Sequence, residues 1–454
     1  MRDRSAMHPR SALRICTGLL AALVLALAPT ADAHAAGLRG VLDPAFGDGG
    51  LAMTNFGLES AAGFGAIVAS GQPTIAGYVT DDHERPALAR LQADGTPDEG
   101  FGEAGLTSTD VGELGPPDSA IFTALTTDTN DRIVAAGYWG YGDGDGEDFD
   151  AAIVARYEPD GTLDPTFGEQ GIATVSIADL ATASDIVVDD QGRIVVAGQA
   201  RSSRDDYTSS MLVFRLDAAG ELDSSFGDGG YSFPFGNDRR NSTRASSLAI
   251  DGRGRIVVAG SKLVDFGPYR MAIARLRRSG ALDPRFGQKG RRLLYRGNVE
   301  GQALDLALLP NGGVVVAGCS GTNLYSARPQ ARFTVARLDQ RGNPLARFGR
   351  GGGRAYDVGE PSPSHCATSI LRDRNGFLVG GTGGNHKHAD LTVLSISARG
   401  RLRSSFGNDG AATLDLPQST WLSEIAHDDH GLIAAGYVDA DNRHHRKLLV
   451  ARFH

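Results

Sequence analysis

The sequence predicts an all-β fold, a seven-bladed β-propeller with four antiparallel strands per blade and the last blade closed by the N-terminal strand. Two observations favour this fold. A nine-residue phrase, first seen at residues 42–50, occurs seven times in the 454-residue chain, and short β-branched runs separated by turn residues fill the intervals. Self-similarity at a period of roughly 60 residues is typical of propellers and solenoids. Four antiparallel strands repeated around an axis make propeller blades, whereas β-solenoid coils are usually shorter.

Every copy of this repeat phrase keeps a phenylalanine, the glycine after it and a glycine four residues after the phenylalanine. Glycine at a fixed offset supplies backbone angles that other residues reach only with strain. A buried phenylalanine contributes roughly 1.5–3 kcal/mol. The aspartate three residues before the phenylalanine is replaced twice, by Leu345 and Arg403, which favours a structural motif over a catalytic one. The phenylalanines are Phe46 (followed by Gly47), Phe101, Phe167, Phe226, Phe286, Phe348 and Phe406.

The unit around Phe286 shows four predicted strands, at residues 245–250, 255–260, 271–276 and 290–295. The second run is apolar throughout, as expected for a strand that is buried on both faces. In every unit this run ends in a glycine. No stretch has the 3.6-residue period of an amphipathic helix.

The two chain ends are predicted to share a blade. The chain starts at a phrase, so its first strand lies near residues 50–56, and it ends on a strand of the third type at residues 448–453. Pairing these two strands would close the ring and remove two open sheet edges.

This arrangement sorts the loops onto two faces. The tight turns and the repeat phrases vary little between units and lie on one face. The loops on the other face, which we call the variable-loop face, differ strongly, as in residues 138–150 against 382–390. Function on a repeat scaffold usually resides where the units differ.

The N-terminus is typical of a secretory signal. Basic residues precede a mostly apolar stretch at 15–27 that is too short to span a bilayer comfortably, and small-x-small cleavage sites follow. We therefore predict a signal peptide at 1–33 and a propeller domain at 38–454, exported to the periplasm or the cell exterior. An uncleaved anchor is the alternative. No later stretch is apolar enough to span a membrane.

Charge and cysteine content narrow the partners and the redox state. The net charge of −9 argues against nucleic acid as the main partner. Cys319 and Cys366 both fall on the variable-loop face in neighbouring blades, and in an exported protein they could form a disulfide. Two separate buried thiols are the alternative.

Five histidines on the variable-loop face are candidate ligands of a transition metal, because histidine and carboxylate ligands that converge on a rim can bind such ions. Ring closure would make their units neighbours. Solvated loops that simply carry polar residues are the alternative. These histidines are His83, His386, His388, His444 and His445.

A glycine-rich acidic loop is a candidate calcium site, since Ca²⁺ prefers oxygen ligands in such loops. It contains Asp143, Asp145, Asp148 and Asp150. The EF-hand pattern would require glutamate eleven residues after Asp143, where Val154 stands. A charged hairpin loop is the alternative.

An arginine recurs on the third strand of six units. A ring of arginines could bind an anion, but the third strand is far from the axis, so a local ion pair with the phrase aspartate is favoured. The arginines are Arg90, Arg156, Arg215, Arg275, Arg337 and Arg452.

The chain contains no nucleophile elbow, phosphate-binding loop or zinc-binding cysteine pair.

The repeat phrase, the apolar run at 256–260 and the Ala-Arg-Leu run at 274–276 together resemble the bacterial delta-60 repeat family. They are distantly similar to the NHL-type propeller repeat. The resemblance implies a β-propeller in an exported bacterial protein, and it implies no particular activity or catalytic residues.

These observations favour a binding or interaction scaffold that uses the variable-loop face for an unknown protein, glycan or small-molecule ligand. The alternative is a metal-dependent propeller hydrolase or lyase with a His/Asp site at the rim or channel mouth. A cell-surface adhesion module is a third hypothesis. No cofactor is certain, and Ca²⁺ or a transition metal are the candidates.

Overall fold

The structure is a computed structural model that describes residues 39–454 except 82, 112–118, 141–150, 179, 202–207, 237–241, 265–266, 296–298, 323–329, 360–364, 385–387 and 441–444. The predicted signal peptide and the four aspartates of the candidate calcium loop lie outside the described residues. A single 3₁₀ turn at Arg350–Gly352 interrupts the strands of the described part. Within that part, no helix has the length and apolar character needed to cross a bilayer.

The described residues form 28 β-strands. The first fourteen are β1 (Leu51–Thr54), β2 (Ser60–Ala69), β3 (Gln72–Thr80), β4 (Glu84–Arg90), β5 (Leu106–Ser108), β6 (Ser119–Thr127), β7 (Ile133–Gly140), β8 (Ala151–Tyr157), β9 (Ile172–Val175), β10 (Leu180–Val188), β11 (Ile194–Arg201), β12 (Ser210–Leu216), β13 (Tyr231–Ser232) and β14 (Thr243–Ile250). The others are β15 (Ile256–Leu263), β16 (Tyr269–Leu276), β17 (Arg291–Leu294), β18 (Glu300–Leu308), β19 (Val314–Thr322), β20 (Gln330–Leu338), β21 (Gly353–Tyr356), β22 (Cys366–Asp373), β23 (Gly376–Gly384), β24 (Ala389–Ser397), β25 (Ala411–Leu414), β26 (Thr420–His427), β27 (Leu432–Asp439) and β28 (Arg446–Phe453).

We number the repeat units by their strands, from inner to outer. Unit 1 is β2–β5, unit 2 is β6–β9, unit 3 is β10–β13, unit 4 is β14–β17, unit 5 is β18–β21, unit 6 is β22–β25, and unit 7 is β26–β28 followed by β1. Strands that are neighbours within a unit pair antiparallel. All seven inner strands line one central pocket, so the units are arranged around an axis.

The prediction of seven separate four-stranded blades is wrong. The structure has five four-stranded blades, units 3 to 7, and the strands of units 1 and 2 form one eight-stranded sheet. The join is a parallel bridge between Glu84 of β4 and Ser119 of β6. The Ser119 hydroxyl also donates a hydrogen bond to the Glu84 carboxylate. The repeat period could not reveal this join, because it depends on two residues that other units do not share.

The chain ends meet in the sheet of unit 7, as their strand patterns predict. β1 pairs antiparallel with β28, and Ala52 lies opposite Val450. The N-terminal phrase adds an ion pair, in which Arg452 Nε lies 2.7 Å from Asp43 Oδ2. Both side chains are only 4% exposed. The first and last strands therefore form backbone hydrogen bonds with each other. Without this pairing, the backbone groups of β28 would be exposed at an open sheet edge.

Apolar packing holds neighbouring units together. One cluster contains Val195 and Ala197 of unit 3 with Val258 and Ala272 of unit 4, and none of these side chains is more than 1% exposed. Phe226, from the phrase of unit 3, lies in the same cluster. Burial between successive sheets is thus the main apolar contribution to the fold.

The two glycines of the phrase have the backbone role that their spacing predicts. Gly47 and Gly50 have φ angles of 54° and 102°, in the region that favours glycine. A Cβ atom on Gly47 would lie 2.0 Å from the carbonyl oxygen of Leu51. The phrase also joins units, because Gly47 N donates to Asp94 O at 2.6 Å.

The third-strand arginine links three groups at once. Arg275 Nε lies 2.9 Å from Asp283 Oδ2, and the guanidinium stacks 4.7 Å from the ring centroid of Phe286. Nη1 of the same guanidinium donates to Gln340 O of the next unit at 2.7 Å. The predicted local ion pair is therefore confirmed. The same pair is formed by Arg90 with Asp98, Arg156 with Asp164, Arg215 with Asp223 and Arg452 with Asp43.

Two units depart from this pattern in ways that the sequence indicates. In unit 6 the arginine stands in the phrase and the acceptor stands on the third strand. Arg403 Nε donates to Ser395 Oγ at 2.7 Å. In unit 5 the aspartate is replaced by Leu345, and the buried Nε of Arg337 has no hydrogen-bond partner. A buried donor without a partner costs roughly 1–3 kcal/mol. Unit 5 therefore carries a local defect.

We predict that Leu345→Asp stabilises the protein. The Leu345 backbone already bonds as that of Asp283 does, with Leu345 N donating to Arg337 O at 2.8 Å and Phe348 N to Leu345 O at 2.9 Å. A charge-assisted hydrogen bond to Arg337 should outweigh the loss of a half-buried leucine by about 1 kcal/mol. Urea denaturation measures the change, with Leu345→Asn as the uncharged control. A less stable Asp variant would contradict this account.

We also predict that β1 is essential for stability. A chain that starts at residue 57 lacks β1 and Asp43, so the edge of β28 and the buried Arg452 lose their partners. Removing one member of a buried ion pair costs about 3–5 kcal/mol by itself. Thermal melting followed by circular dichroism should show a drop of at least about 5 °C relative to a chain that starts at residue 39. Equal melting temperatures would refute the role of this strand.

Candidate functional site

The variable-loop face carries a cleft of about 370 Å³ at unit 5. The ends of β19 and β20 form one side, and the end of β21 forms the other. Ala331, Ala355 and Tyr356 supply apolar lining, and Ser320 and Thr322 supply hydroxyl groups. The cleft therefore lies at the strand ends from which the variable loops depart, where the sequence predicts a functional surface.

An arginine–aspartate pair stands at the rim of this cleft. Arg332 Nε donates to Asp357 Oδ1 at 2.6 Å, and a second guanidinium nitrogen donates to Oδ2. The side chains are 51% and 70% exposed. Exposed ion pairs contribute little to stability, typically about 0–1 kcal/mol. The pair therefore contributes little to the stability of the fold. It presents oriented hydrogen-bond donors and acceptors to solvent.

A disulfide borders the cleft. Cys319 of β19 and Cys366 of β22 are joined, with their sulfur atoms 2.31 Å apart, so units 5 and 6 are covalently linked. His365, which precedes Cys366, lines the cleft and is 2% exposed. The link spans 47 residues of sequence. In the chain-entropy description such a loop stabilises the fold by roughly 4 kcal/mol.

A second pocket of about 320 Å³ lies on the axis of the molecule. Each inner strand has a β-bulge at the same place, and bulges re-aim side chains. In unit 3, for example, the pairing register shifts between Ala183 and Asp185. The same shift occurs between residues 63 and 65, 122 and 124, 245 and 247, 303 and 305, 367 and 369, and 422 and 424.

These bulges explain the glycine that ends every second-strand run. Gly198 lies opposite the bulge of β10, and a Cβ atom there would be 1.8 Å from the carbonyl oxygen of Thr182. Only glycine allows this close approach. The equivalent glycines are Gly77, Gly137, Gly260, Gly318, Gly381 and Gly436, each with a similar contact. These recurring glycines are therefore the sequence signal for the axial residues, which were not among the predicted sites.

The residue that follows each bulge differs between units. Units 1 and 2 have Gly65 and Ala124 there, whereas units 3 to 7 alternate acids and hydroxyls. Those five residues are Asp185, Ser247, Asp305, Ser369 and Glu424. One side of the axial pocket is therefore acidic and the other has no polar side chain at this position.

Each acid is held by the following unit or by the preceding one. Ser247 Oγ donates to Asp305 Oδ1 at 2.8 Å, and the Ser369 hydroxyl donates to the Glu424 carboxylate. Backbone groups complete the network. Leu248 N donates to Asp185 Oδ2 at 2.7 Å, and Ile370 N donates to Asp305 Oδ2 at 2.6 Å. The carboxyl groups therefore connect the inner strands around the axis.

Burial raises the pKa of these three acids. The pKa of Asp185 is raised to about 7 by desolvation and by the neighbouring charge of Asp305. Desolvation likewise raises the pKa of Asp305, and desolvation together with the charge of Asp305 raises that of Glu424. The described lining of the pocket contains no lysine, arginine or histidine. Part of the cluster is therefore protonated near neutral pH.

The candidate metal site is only partly described. His83 is exposed, His388 Nδ1 lies 2.7 Å from Asp390 Oδ1, and His445 Nε2 lies 3.0 Å from Glu59 Oε1. His386 and His444 lie outside the described residues. Among the residues that are described, no group of three or more histidine, cysteine, aspartate or glutamate side chains could hold a metal ion. The histidine site therefore stays a prediction.

A family model matches four of the repeat units. It describes a β-propeller domain of unknown function (DUF5122), and it matches residues 71–101, 130–167, 192–226 and 254–286. Each matched segment ends at the phenylalanine of a repeat phrase. The match covers less than half of the chain, and it supports a β-propeller repeat family. A sequence search among curated proteins finds no match.

Two solved structures of a polysaccharide lyase, ulvan lyase of family PL25, share the fold. One has a TM-score of 0.54 at 12% identity and covers 88% of this chain and 96% of that chain. The other, bound to -[GlcA(1-4)Rha3S]-, has a TM-score of 0.53 at 12% identity with the same coverage. A Penicillium chrysogenum α-L-arabinanase has a TM-score of 0.44 at 12% identity, with 72% and 92% coverage. At 12% identity the likeness to the two ulvan lyase structures extends to the fold alone.

We predict that Asp185 makes the protein less stable as the pH rises. Its pKa is raised in the folded state to about 7. Its contribution to stability is therefore fully present below the unfolded pKa of about 4 and is lost as the pH rises through about 7. Between pH 5 and 8 this loss amounts to about 2–3 kcal/mol. Urea denaturation of Asp185→Asn at both pH values should show a correspondingly smaller decrease than in the wild type.

The control for this measurement is Thr123→Val, which removes two hydrogen bonds from the wall of the axial pocket to the carbonyl oxygens of Ala136 and Ala183 and contacts no carboxyl group through them. It should lower stability by a similar amount at pH 5 and pH 8. If Asp185→Asn has the same pH dependence as the wild type, the proton of this carboxyl is not linked to folding.

Proposed function

We propose that this chain is an exported β-propeller scaffold of the delta-60 repeat type that binds a sugar in the cleft of unit 5. The observation that carries the proposal is the position of the cleft. It lies on the variable-loop face, its edge is fixed by the Cys319–Cys366 disulfide, and it presents the exposed pair of Arg332 and Asp357. Export is consistent with the disulfide, because disulfides persist in oxidising compartments.

The chemistry of the cleft fits a small carbohydrate. A sugar hydroxyl can accept a hydrogen bond from the Arg332 guanidinium and donate one to the Asp357 carboxylate. The exposed methyl group of Ala355 can pack against a C–H group of the ring, whereas Ala331 and Tyr356 are almost completely buried. A volume of about 370 Å³ is at the lower end of small-ligand sites and is suited to one or two sugar units.

The ulvan lyase structures are compatible with this proposal and do not identify the ligand. Ulvan lyase, named as a polysaccharide lyase, shares the propeller shape with this chain. Shape alone does not carry function, because one fold serves many activities. The proposal therefore depends on the residues of the cleft.

A hydrolase or lyase is the second candidate, and the axial acids favour it. Asp185, Asp305 and Glu424 line a pocket and have raised pKa values, as general acids in active sites often have. Against this, the backbone N–H groups of Ile186 and Leu248 bind the carboxylate of Asp185 at 2.7 Å, and Asp305 is bound in the same way. Carboxylates that accept two hydrogen bonds from the backbone are more typical of a structural role than of a catalytic one.

We predict that the double variant Arg332→Ala/Asp357→Ala weakens sugar binding at least about tenfold, because it removes both polar anchors. Isothermal titration with glucose, galactose, xylose, rhamnose and their disaccharides measures the affinity. The matched control is Arg278→Ala/Asp190→Ala. These two residues form an exposed ion pair outside the cleft lining, with Arg278 Nη1 2.9 Å from Asp190 Oδ1, and the variant should bind sugar as the wild type does. Absence of binding to every sugar, or equal losses in both variants, would contradict the proposal.

A further inference from the structure

We propose that a groove along the outer edge of unit 4 binds an anionic glycan that carries sulfate or carboxylate groups. This site is separate from the cleft of unit 5 and goes beyond the function proposed for it. The groove has a volume of about 1050 Å³. The outer strand β17 forms one wall, and Phe235, which follows the outer strand of unit 3, forms part of the other.

The groove is basic in a chain that is acidic overall. None of the described residues that line it is an aspartate or a glutamate, although the net charge of the chain is −9. A concave surface lined by one sign of charge focuses its electric field and attracts ligands of the opposite sign. The part of the lining that the structure describes contains five cationic residues, Lys262, Arg270, Lys289, Arg291 and Arg292.

Three of these charges are not neutralised by carboxylates of the described residues. Lys289 is exposed. Arg291 Nε donates to the carbonyl oxygen of Pro234 at 2.5 Å, and Arg292 Nε donates to Gly342 O at 2.7 Å. These carbonyl groups hold both guanidinium groups in place without cancelling their charge. They differ in this respect from Arg275, which pairs with Asp283. A positioned and uncompensated guanidinium is suited to bind sulfate or carboxylate through two hydrogen bonds.

Protection of a sheet edge does not explain the arginines of β17. Charged residues on an outer strand can prevent edge-to-edge aggregation. However, the six other outer strands are equally at the rim and together contain one charged residue, Arg354. The fold therefore does not require two adjacent cations on an outer strand, and unit 4 is exceptional.

Two aromatic rings complete the groove. Phe235 lies 5.9 Å from Lys262 Nζ and 6.0 Å from the Arg291 guanidinium. Tyr295 has a φ angle of 66°, which turns the chain directly after β17. Its ring packs over Gly301, where a Cβ atom would lie 3.0 Å from the ring. Half-buried rings beside fixed cations suit a sugar, which presents C–H faces and anionic substituents together.

A glycan fits the groove better than a nucleic acid does. Proteins that bind nucleic acids usually present an extended basic face that follows the phosphate backbone. Here five cationic residues line one groove of a chain whose net charge is −9, and the acidic remainder of the chain would repel a long polyanion. A short or locally bound anionic glycan meets the groove without that penalty.

The test is binding of a fluorescein-labelled sulfated hexasaccharide, measured by fluorescence anisotropy in 50 and 150 mM NaCl. The groove variant Lys289→Ala/Arg291→Gln/Arg292→Gln should bind at least about tenfold more weakly than the wild type. The charge-matched control Arg253→Ala/Arg277→Ala/Arg399→Ala removes three exposed arginines outside the groove lining, and its affinity should stay within about threefold. Equal losses in the two variants, or unchanged binding by the groove variant, would overturn the site.

A second set of measurements tests the ligand class. Tyr295→Leu, which keeps every charge, should weaken the hexasaccharide by about threefold or more. Inorganic polyphosphate and a single-stranded DNA oligonucleotide should compete less well than unlabelled hexasaccharide at 150 mM NaCl, and equal or stronger competition would overturn the glycan assignment. The Arg332→Ala/Asp357→Ala variant should bind the hexasaccharide normally, which separates this site from the cleft of unit 5. Thermal melting checks that each variant is folded.

Discussion

The repeat scaffold depends on the contacts that the buried arginine of the third strand makes. Arg275 neutralises the phrase aspartate, stacks on the phrase phenylalanine and donates to a carbonyl group of the next unit. Burial of a charge pair is costly unless its remaining donors are satisfied, and here a carbonyl group satisfies one of them. In unit 7, Arg452 and Asp43 form the same contact between the two ends of the chain. One contact thus holds strand to phrase, unit to unit and terminus to terminus.

Two sets of carboxyl groups give the fold opposing pH dependences. Burial alone would raise the pKa of Asp164, but the hydroxyl and backbone N–H of Thr166 and the charge of Arg156 hold it at about 2. This contribution to stability is present above the unfolded pKa of about 4 and is lost as the pH falls from there through about 2. The axial acids have raised pKa values, and their contribution is lost as the pH rises. At mildly acidic pH both contributions are retained.

The two surfaces to which we assign binding are places where one unit departs from the repeat. The cleft of unit 5 lies beside a cross-link that joins Cys319 and Cys366, and the basic groove occupies an outer strand that carries two arginines. Residues that recur in every unit serve packing and backbone geometry, as Phe286 and Gly290 do. The units therefore share a framework, and the positions at which they differ are available for recognition.

The strands, the turns and the contacts within a unit were predictable from the sequence, because they depend on residues that recur at fixed spacing. The phrase glycines specify left-handed turns, and the arginine and aspartate eight residues apart specify the local ion pair. The pairing of the first strand, near residues 50–56, with the last strand at 448–453 followed from the phase of the repeat. Tertiary structure alone decided the rest. Asp185, Asp305 and Glu424 are far apart in sequence and meet only because bulges direct them to a common axis. The bridge of Glu84 with Ser119 and the groove beside Phe235 likewise arise between units, where no local pattern records which side chains will be neighbours.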